Sequence, residues 1–355
     1  MFSYGLPVPG LKRGGIERAA HTLADGLARR GHQVVVFTHD PMPSGAAYEV
    51  RLLPWKAFVA TWVGRRVTMG YLGNVLAIAP DYSEFDAIVA HGDSLFLPIA
   101  GKPLIRVLHG CAFGEARSAR SVGRTLLQLG VYAQELITAA LQKGAVSISE
   151  SGRRHNPFVR RVICHGVDDR VFTPEPSERS TRPSLLFVGT LTGRKRGGFL
   201  LRSFADAVRR THPDATLTIV GDQGPSCAGV TYRVGVPDVE LASLYRRAWA
   251  YVTPSTYEGF GLPYLEALAC GTPVVATPNP GSVEILDHGK YGVIAADEEF
   301  GRSISSLLSD EQARAALSAR GLRRAREYSL SLMLDRYEAL LFDLVGTDAR
   351  RVVSV

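Results

Sequence analysis

Two glutamates on either side of a glycine-rich turn give the strongest chemical signal in the sequence. Glu258 and Glu266 are separated by seven residues, and the segment between them begins Gly259-Phe260-Gly261-Leu262-Pro263. The pattern predicts a helix that begins near Leu262 with Pro263 in its first turn, where a missing N–H costs little. Backbone N–H groups at such a turn bind anions. Carboxylates beside an anion site would repel phosphates, so they suit hydroxyl groups on either side of a diphosphate.

These residues resemble glycosyltransferase family 4, whose signature is two glutamates separated by seven residues. The later segment Gly271-Thr272-Pro273-Val274 matches the family as well. The resemblance implies that Glu258 orients hydroxyl groups of a donor sugar and that Glu266 holds the ribose diol. It also implies that the backbone of the segment 259–262 contacts sugar and phosphate. The alternative is a glutamate pair that caps a helix and forms surface ion pairs.

The segment 186–195 resembles the strand and basic loop that deliver a lysine to the donor diphosphate in the family. This resemblance selects Lys195 as the diphosphate lysine. Phe204 matches the buried aromatic residue that the family has in the following helix. The family usually has arginine where Thr190 stands and glycine where Arg196 stands. Either Arg194 or Arg196 is therefore expected to supply the missing cation, and both alternatives stay open. A solvated basic loop without function is the competing interpretation.

Two further segments resemble family parts that lie beside the nucleotide. Gly221, in the segment 221–225, resembles the turn after a strand. Arg233 and Val234, in the segment 231–235, resemble the stretch whose backbone reads the base. Taken alone, these glycine-containing turns would be ordinary surface turns.

The N-terminal half contributes a diglycine and two histidines. Gly14 and Gly15 open a helix and match the family loop that approaches the donor phosphates when the cleft between the domains closes. His109 follows the predicted strand 104–108, at the carboxyl end, where open α/β sheets place their sites. The family often has a histidine there, near the reactive centre of the sugar, and His91 ends a neighbouring strand in the same way. A core histidine satisfied by its neighbours is the alternative for each.

The resemblance implies a retaining transfer of a hexose-type sugar from a nucleoside-diphosphate sugar to an acceptor hydroxyl. The bond that breaks joins the anomeric carbon to the β-phosphate, so the enzyme must stabilise the diphosphate charge that develops. Lys195, the Gly15 amide and the helix after Gly261 are expected to do this without a metal ion or cofactor. Lys195, His109 and Glu258 form the predicted catalytic set, in which His109 positions groups and transfers no proton.

Other functions fit the sequence less well. A sugar phosphorylase would need a pyridoxal phosphate lysine or a free-phosphate pocket, and a dehydrogenase would need G-x-G-x-x-G after a strand; neither signature is found. A nucleotide-sugar epimerase, whose fold is related to that of the family, is a further alternative among enzymes. A non-catalytic or regulatory protein that binds nucleotide-sugars stays open as the alternative, because Thr190 replaces the family arginine and the first strand is short.

The elements that position these residues follow a β-α-β order. Apolar runs without alternation, such as 33–37, 104–108 and 215–220, are typical of parallel strands buried on both faces. Amphipathic helical patterns lie between them. A length of 355 residues suits two such domains. The predicted fold class is α/β, specifically GT-B, in which two Rossmann-like doubly wound parallel-sheet domains face a central cleft.

Proline, serine and charged residues replace the apolar periodicity at 173–183, where we place the linker. The first strand has few residues before the diglycine loop, so it is either short or begins upstream of Met1. The predicted parts are an N-terminal acceptor-binding domain, the linker, a C-terminal nucleotide-sugar-binding domain and a helix that crosses back to the first domain, at 1–172, 173–183, 184–328 and 329–355.

Charge and composition limit the partners. The net charge is +7, but the basic residues are spread along the chain and no nucleic-acid reading motif is present. The four cysteines lack metal-ligand spacing, which indicates free thiols. Without a leader or a long apolar run, a cytoplasmic location is expected.

The acceptor is expected to be a glycan, a lipid-linked sugar or a small molecule. Residues 55–66 mix aromatic and basic side chains where the family builds acceptor-binding helices, some of which touch the membrane surface. A peripheral contact with the inner face of the membrane is therefore one prediction, and an ordinary core helix is the other.

Overall fold

The computed structural model describes residues 1–8, 15–53, 79–92, 95–118, 121–142 and 144–346. The chain divides into two compact units. The first comprises Met1–Cys164 with Met333–Val355, and the second comprises His165–Leu332. Each unit is built on a parallel β-sheet, which confirms the predicted α/β fold class.

The first unit contains a seven-stranded sheet within its described residues. Its strands are β1 (Phe2–Ser3), β2 (Val35–Thr38), β3 (Glu49–Leu52), β4 (Ile88–His91), β5 (Leu104–Leu108), β6 (Gly144–Ser147) and β7 (Arg161–Val162). Neighbouring strands are parallel and follow the order β3-β2-β1-β4-β5-β6-β7. The order reverses between β1 and β4, and open α/β sheets bind ligands at the carboxyl ends of such strands.

The helices of the first unit shield this sheet, whose central strands are fully buried. They are α1 (Gly15–Arg29), α2 (Ala112–Ser118), α3 (Val122–Leu141) and α4 (Glu150–Arg154), with a 3₁₀ turn at Leu97–Ala100. Helix α1 has Glu17 in its first turn and Arg29 in its last, which suits the helix dipole.

The second unit contains a six-stranded sheet. Its strands are β8 (Ser184–Gly189), β9 (Thr216–Gly221), β10 (Val230–Arg233), β11 (Ala250–Thr253), β12 (Val274–Ala276) and β13 (Val293–Ile294). They are parallel in the order β10-β9-β8-β11-β12-β13, which reverses between β8 and β11. Phe187, Phe204 and Phe300 lie in its apolar core, so the predicted burial of Phe204 is confirmed.

The helices of the second unit are α5 (Gly197–Ser203), α6 (Asp238–Arg247), α7 (Leu262–Ala269), α8 (Pro280–Ile285), α9 (Asp297–Ser309) and α10 (Glu311–Arg326). A π turn at Phe204–Val208 and a final turn at Arg209–Thr211 extend α5. The unit also has 3₁₀ turns at Pro176–Glu178, Gly193–Lys195 and Asp287–Gly289.

The last helix, α11 (Leu330–Val345), joins the first unit from Met333 onward. Arg30 lies 2.7 Å from Asp335 and 2.6 Å from Glu338. A Cβ atom on Gly26 would come within 2.7 Å of Leu334, so α1 and α11 pack closely at this glycine.

The segment predicted as the linker, 173–183, is bound to the second unit. Glu178 accepts hydrogen bonds from Ser243 at 2.7 Å and from Arg246 at 3.0 Å. Trp249 Nε1 donates to the Ser180 carbonyl at 2.7 Å. The division between the units falls earlier, at Cys164 and His165. Proline-rich, polar composition marks a segment without regular structure, and such a segment can still pack against a domain. The functional roles assigned to the domains stay predictions.

Helix α3 carries a glutamate with an altered titration. The Ala112 N–H donates to Glu135 Oε2 at 3.2 Å. Burial raises the pKa of Glu135 to about 7; the Ala112 hydrogen bond and Arg106 oppose this, and Glu115 adds to it. Because the folded-state pKa exceeds the unfolded value, the folded protein loses stability as pH rises from about 4.5 to about 7.

We therefore expect Glu135→Gln to be more stable than the wild type at pH 8, by on the order of 1–2 kcal/mol. The difference should vanish below about pH 4.5, where both folded and unfolded Glu135 are protonated. Urea unfolding at the two pH values measures it. Glu298→Gln, at an exposed position, is the control and should show no such pH-dependent gain. Equal stability of Glu135→Gln and the wild type at pH 8 would contradict the assignment.

Candidate active site

Two cations share one carboxylate in the second unit. Lys195 Nζ lies 2.7 Å from Glu258 Oε1, and Arg194 Nη1 lies 2.7 Å from Oε2. Burial raises the pKa of Glu258, but Lys195 and Arg194 outweigh it and hold the pKa below its ordinary value. Glu258 is therefore ionised at neutral pH. The three side chains together leave a surplus of one positive charge, which suits a polyphosphate ligand.

Glycines at two strand ends make room for Lys195. A Cβ atom on Gly189, the last residue of β8, would lie 3.1 Å from Lys195 Cγ and 2.9 Å from the Phe187 ring. Gly221 pairs with Gly189 in register, and its Cβ would lie 2.2 Å from the Gly189 carbonyl oxygen. Gly221 also has φ +145°, a conformation that favours glycine. Side chains at either position would displace the lysine loop.

A buried polar network fixes the loop that carries Glu258. The Ser255 carbonyl accepts hydrogen bonds from Thr277 Oγ1 at 2.8 Å and from Asn279 Nδ2 at 3.1 Å. The Thr256 N–H donates to the Arg194 carbonyl at 2.9 Å. This backbone contact ties the glutamate loop to the lysine loop, so the charged groups meet with little freedom.

Helix α7 begins at Leu262 with Pro263 in its first turn, as predicted. Gly261 has φ +103°, and a Cβ there would lie 2.3 Å from the Tyr264 ring. The N–H groups of residues 259–261 donate no hydrogen bond to any part of the chain that the structure describes. They are thus available to an anion at the N-terminus of α7.

Phe260 anchors this turn in the core. Its ring meets the His165 ring edge-on, with the ring centroids 5.5 Å apart. Burial lowers the pKa of His165 to about 4, so this histidine is neutral at physiological pH. A Cβ on Gly281 would lie 2.5 Å from the Phe260 carbonyl oxygen, and the Gly281 N–H donates to the Glu258 carbonyl at 3.0 Å. The turn therefore packs against both His165 and Gly281.

Glu266 lies on α7 and is 2% exposed. Tyr245, on α6, donates its hydroxyl to Glu266 Oε2 at 3.1 Å. Burial raises the pKa of Tyr251, and the charges of Glu258 and Glu266 contribute to the increase. Both glutamates therefore raise the pKa of the same buried tyrosine.

Arg194 and Arg196 have different partners. Arg196 forms a two-point ion pair with Asp297, at 2.6 Å for each contact, and donates from Nε to the Pro254 carbonyl at 2.6 Å. Its backbone has φ +52°, in the left-handed region, which explains why glycine suits this position. The structure thus leaves Arg194 as the cation beside Lys195. The Thr190 hydroxyl donates to the Thr192 carbonyl at 2.8 Å.

The predicted nucleotide-side residues share one edge of the second sheet. Gly221 ends β9, Arg233 ends β10, and Val234 follows with 58% exposure. Since β8 to β11 are parallel neighbours, their carboxyl ends lie at the same edge as the loops of Lys195 and Glu258. The structure therefore brings these predicted positions together.

In the first unit, two histidines meet. His91 ends β4, His109 follows β5, and His91 Nδ1 lies 2.8 Å from His109 Nε2. Sequence reasoning treated them separately, although their equivalent positions after adjacent parallel strands could have signalled the pair. Gly15 is the exposed first residue of α1. Gly14 and the aromatic-basic segment 55–66 lie outside the described residues.

The histidine pair predicts a positioning role for His91. A hydrogen bond between two imidazoles needs one donor and one acceptor, so His91 determines which nitrogen of His109 holds the proton. We expect His91→Phe to lower kcat by roughly tenfold with KM little changed, while His91→Asn retains more activity. Steady-state kinetics, together with the nitrogen chemical shifts of His109, measures this.

His32→Phe is the matched control, because His32 also makes a side-chain contact in the first unit, at 2.9 Å from Glu338. It should leave turnover unchanged. Equal kcat for His91→Phe and the wild type would contradict the role given to His91.

The described residues bear on metal binding and on membrane crossing. They contain no cluster of three or more His, Cys, Asp or Glu side chains suited to a metal ion. None of the four cysteines, all of which lie among the described residues, forms a disulfide bond. No described helix has both the length and the apolar character needed to cross a membrane. Metal independence stays a prediction.

Two family models match consecutive parts of the chain. Residues 13–170 match Glycosyltransferase Family 4, and residues 168–324 match Glycosyl transferases group 1. A phosphatidyl-myo-inositol mannosyltransferase of Propionibacterium freudenreichii is 26% identical over 343 residues, which cover 91% of this chain and 88% of that enzyme. A D-inositol 3-phosphate glycosyltransferase of Frankia alni is 32% identical over 202 residues, 48% of this chain. The chain spans about half the length of that relative, 49%.

The fold also resembles a solved structure. HepE of Anabaena, crystallised in complex with UDP and glucose, aligns with a TM-score of 0.73 and 18% identity over 95% of this chain and 98% of HepE. The two parallel-sheet units and these matches establish the class as GT-B. The chain belongs to the GT-B glycosyltransferases of the family 4 type.

Proposed function

We propose that this chain transfers a hexose-type sugar from a nucleoside-diphosphate sugar to an acceptor hydroxyl, with retention of anomeric configuration and without a metal ion. The observation that carries the proposal is the pairing of Lys195 and Arg194 with Glu258. This charged group lies in the loops at the carboxyl edge of the sheet, where the turn before α7 offers its N–H groups. The site thus combines an anion cradle with a carboxylate for sugar hydroxyls.

The chemistry needs charge stabilisation more than proton transfer. As the bond between the anomeric carbon and the β-phosphate oxygen breaks, negative charge grows on the diphosphate. Lys195, with Arg194 and the turn before α7, stabilises that charge. The acceptor oxygen forms the new bond on the face that the diphosphate leaves, and the acceptor hydroxyl gives its proton to the departing β-phosphate oxygen. No side chain is assigned as nucleophile or general base, and Glu258 orients the sugar.

The names of the relatives support a nucleotide-sugar donor. Those of the Propionibacterium and Frankia enzymes describe sugar transfer, and the HepE crystals contain UDP and glucose. We infer a donor of the same chemical class here. We propose that the acceptor is a glycan, a lipid-linked sugar or a small molecule, and that the protein acts in the cytoplasm. The acceptor-side prediction at 55–66 lies outside the described residues.

A thermal-shift panel with UDP, GDP, ADP and dTDP, and then with their sugars, tests the donor. The cognate nucleotide should raise the melting temperature, and the effect should persist with excess EDTA. Donor hydrolysis and transfer to candidate acceptors are then measured under the same conditions, with product configuration read by NMR. Loss of activity in EDTA or an inverted product would overturn that part of the proposal. Binding without hydrolysis or transfer would favour the non-catalytic alternative.

A further inference from the structure

The two oxygens of the Glu258 carboxylate are each held by a different cation. Lys195 Nζ lies 2.7 Å from Oε1, and Arg194 Nη1 lies 2.7 Å from Oε2. The Glu258 side chain is 8% exposed and that of Lys195 is 16% exposed, so salt screens the attraction between them only weakly. The groups proposed to hold the sugar hydroxyls and the diphosphate therefore bind each other in this structure.

This arrangement follows from the sequence of this chain. Thr190 stands where the family usually has arginine, and its hydroxyl donates to the Thr192 carbonyl. The cations assigned to the diphosphate are consequently the two that hold Glu258. Arg194 also donates from Nη1 to the Tyr257 carbonyl at 2.8 Å, which places its guanidinium beside the glutamate loop. A diphosphate that takes up these cations competes with Glu258 for them.

A free nucleoside diphosphate and its sugar ester differ in what they bring close to Glu258. The terminal phosphate of the free nucleotide has a second ionisation with a pKa of about 6, so it carries an extra negative charge at neutral pH. In the sugar ester that oxygen is bonded to the sugar and cannot ionise. The ester brings hydroxyl groups instead, which donate hydrogen bonds to a carboxylate. The same carboxylate therefore repels the free nucleotide and binds the intact donor.

We propose, on the basis of the function proposed above, that Glu258 selects the intact nucleotide-sugar against the free nucleoside diphosphate. When the donor binds, Lys195 and Arg194 turn toward the diphosphate, and Glu258 accepts hydrogen bonds from the sugar hydroxyls in their place. The Arg194 side chain is 50% exposed, so its guanidinium has solvent to turn into. After transfer the sugar leaves with the acceptor, and Glu258 competes again for the two cations. This competition favours release of the nucleoside diphosphate.

Titration calorimetry of the full chain tests this role with Glu258→Gln, which removes the charge and keeps the volume. The probes are the nucleoside diphosphate, among UDP, GDP, ADP and dTDP, that raises the melting temperature most, and its glucose or mannose ester. The variant should bind the free nucleotide roughly tenfold more tightly than the wild type, because a buried negative charge close to the phosphates is removed. Its affinity for the ester should not rise in proportion, since the ester loses a charged hydrogen-bond acceptor.

Two comparisons separate this role from a general effect of charge. The gain in Glu258→Gln should be smaller for the corresponding nucleoside monophosphate, which lacks the terminal phosphate. Glu311→Gln is the matched control, because it removes an exposed carboxylate of the same unit at the start of α10. It should leave the affinities for the free nucleotide and the ester unchanged. Glu258→Ala removes the same charge with a different side chain and should change the ratio of the two affinities in the same direction as Glu258→Gln.

Circular dichroism and the melting temperature check that each variant is folded. If the wild type binds the donor and transfers sugar, but neither Glu258 variant binds the free nucleotide more tightly than the wild type, the selecting role is overturned and the proposed function stands. If no nucleoside diphosphate binds to the wild type, both are overturned. Equal gains for the nucleoside monophosphate and the diphosphate would show a general electrostatic effect, which also overturns the selecting role.

Discussion

Lys195→Ala is expected to lower turnover by about 100-fold or more while the protein stays folded. Lys195 Nζ contacts Glu258 at 2.7 Å, and its side chain is 16% exposed. In the proposed reaction its charge meets the leaving diphosphate, whose negative charge grows mainly in the transition state. The loss should therefore appear in kcat more than in KM. Steady-state kinetics with saturating donor measures it.

Lys290→Ala is the control, because Lys290 is a lysine of the same unit whose side chain is 60% exposed. It should leave kcat unchanged. Lys195→Arg keeps the charge but changes the geometry, so it should recover part of the activity. Near wild-type turnover of a folded Lys195→Ala protein would show that another cation, such as Arg194, stabilises the diphosphate.

The central strands were predictable because most of their residues are apolar, on both faces of the sheet. The runs 104–108 and 215–220 correspond to β5 (Leu104–Leu108) and β9 (Thr216–Gly221). The edge strand β3 (Glu49–Leu52) has no such run, since its residues are partly exposed. Its strand conformation comes from pairing with β2, which is a tertiary contact that local sequence does not contain.

The chemistry of the site was easier to predict than its contacts. Motif spacing selected Lys195 and Glu258, but not the ion pair between them, because nothing in the spacing of two loops fixes their separation in space. The ion-pair partner of Arg196 could not be predicted from the sequence either. Asp297 begins α9, about 100 residues later. The positive φ of Arg196 is a backbone property that the presence of an arginine does not indicate.

His91 and His109 were likewise easier to select from the sequence than their mutual contact was to predict. His109 was selected by its place after a strand, and His91 was noted for the same reason. Their hydrogen bond depends on β4 and β5 being neighbours in register, with His91 opposite Val107. Strand order is a global property of the sheet. Sequence reasoning therefore found both residues and missed their coupling.

Glu266→Ala is expected to cost on the order of 1–3 kcal/mol of nucleotide binding, a decrease in affinity of about fivefold to about 150-fold. In the proposed complex, Glu266 accepts hydrogen bonds from the ribose diol. It is 2% exposed and accepts the Tyr245 hydroxyl at 3.1 Å, so a carboxylate is already oriented at this position. Calorimetry with the cognate nucleoside diphosphate measures the loss.

Removal of Glu266 also leaves the buried Tyr245 hydroxyl without this acceptor, which costs stability and must be separated from the loss of a ligand contact. Glu266→Gln keeps the volume and an acceptor oxygen but loses the charge, so it should weaken nucleotide binding with a smaller effect on the melting temperature. Tyr245→Phe is the complementary control. It removes the contact to Glu266 Oε2 and leaves the carboxylate, so its affinity should fall less than that of Glu266→Ala. If both Glu266 variants fold and bind the nucleotide as tightly as the wild type, Glu266 serves the packing of α7 against α6 and does not hold the ribose.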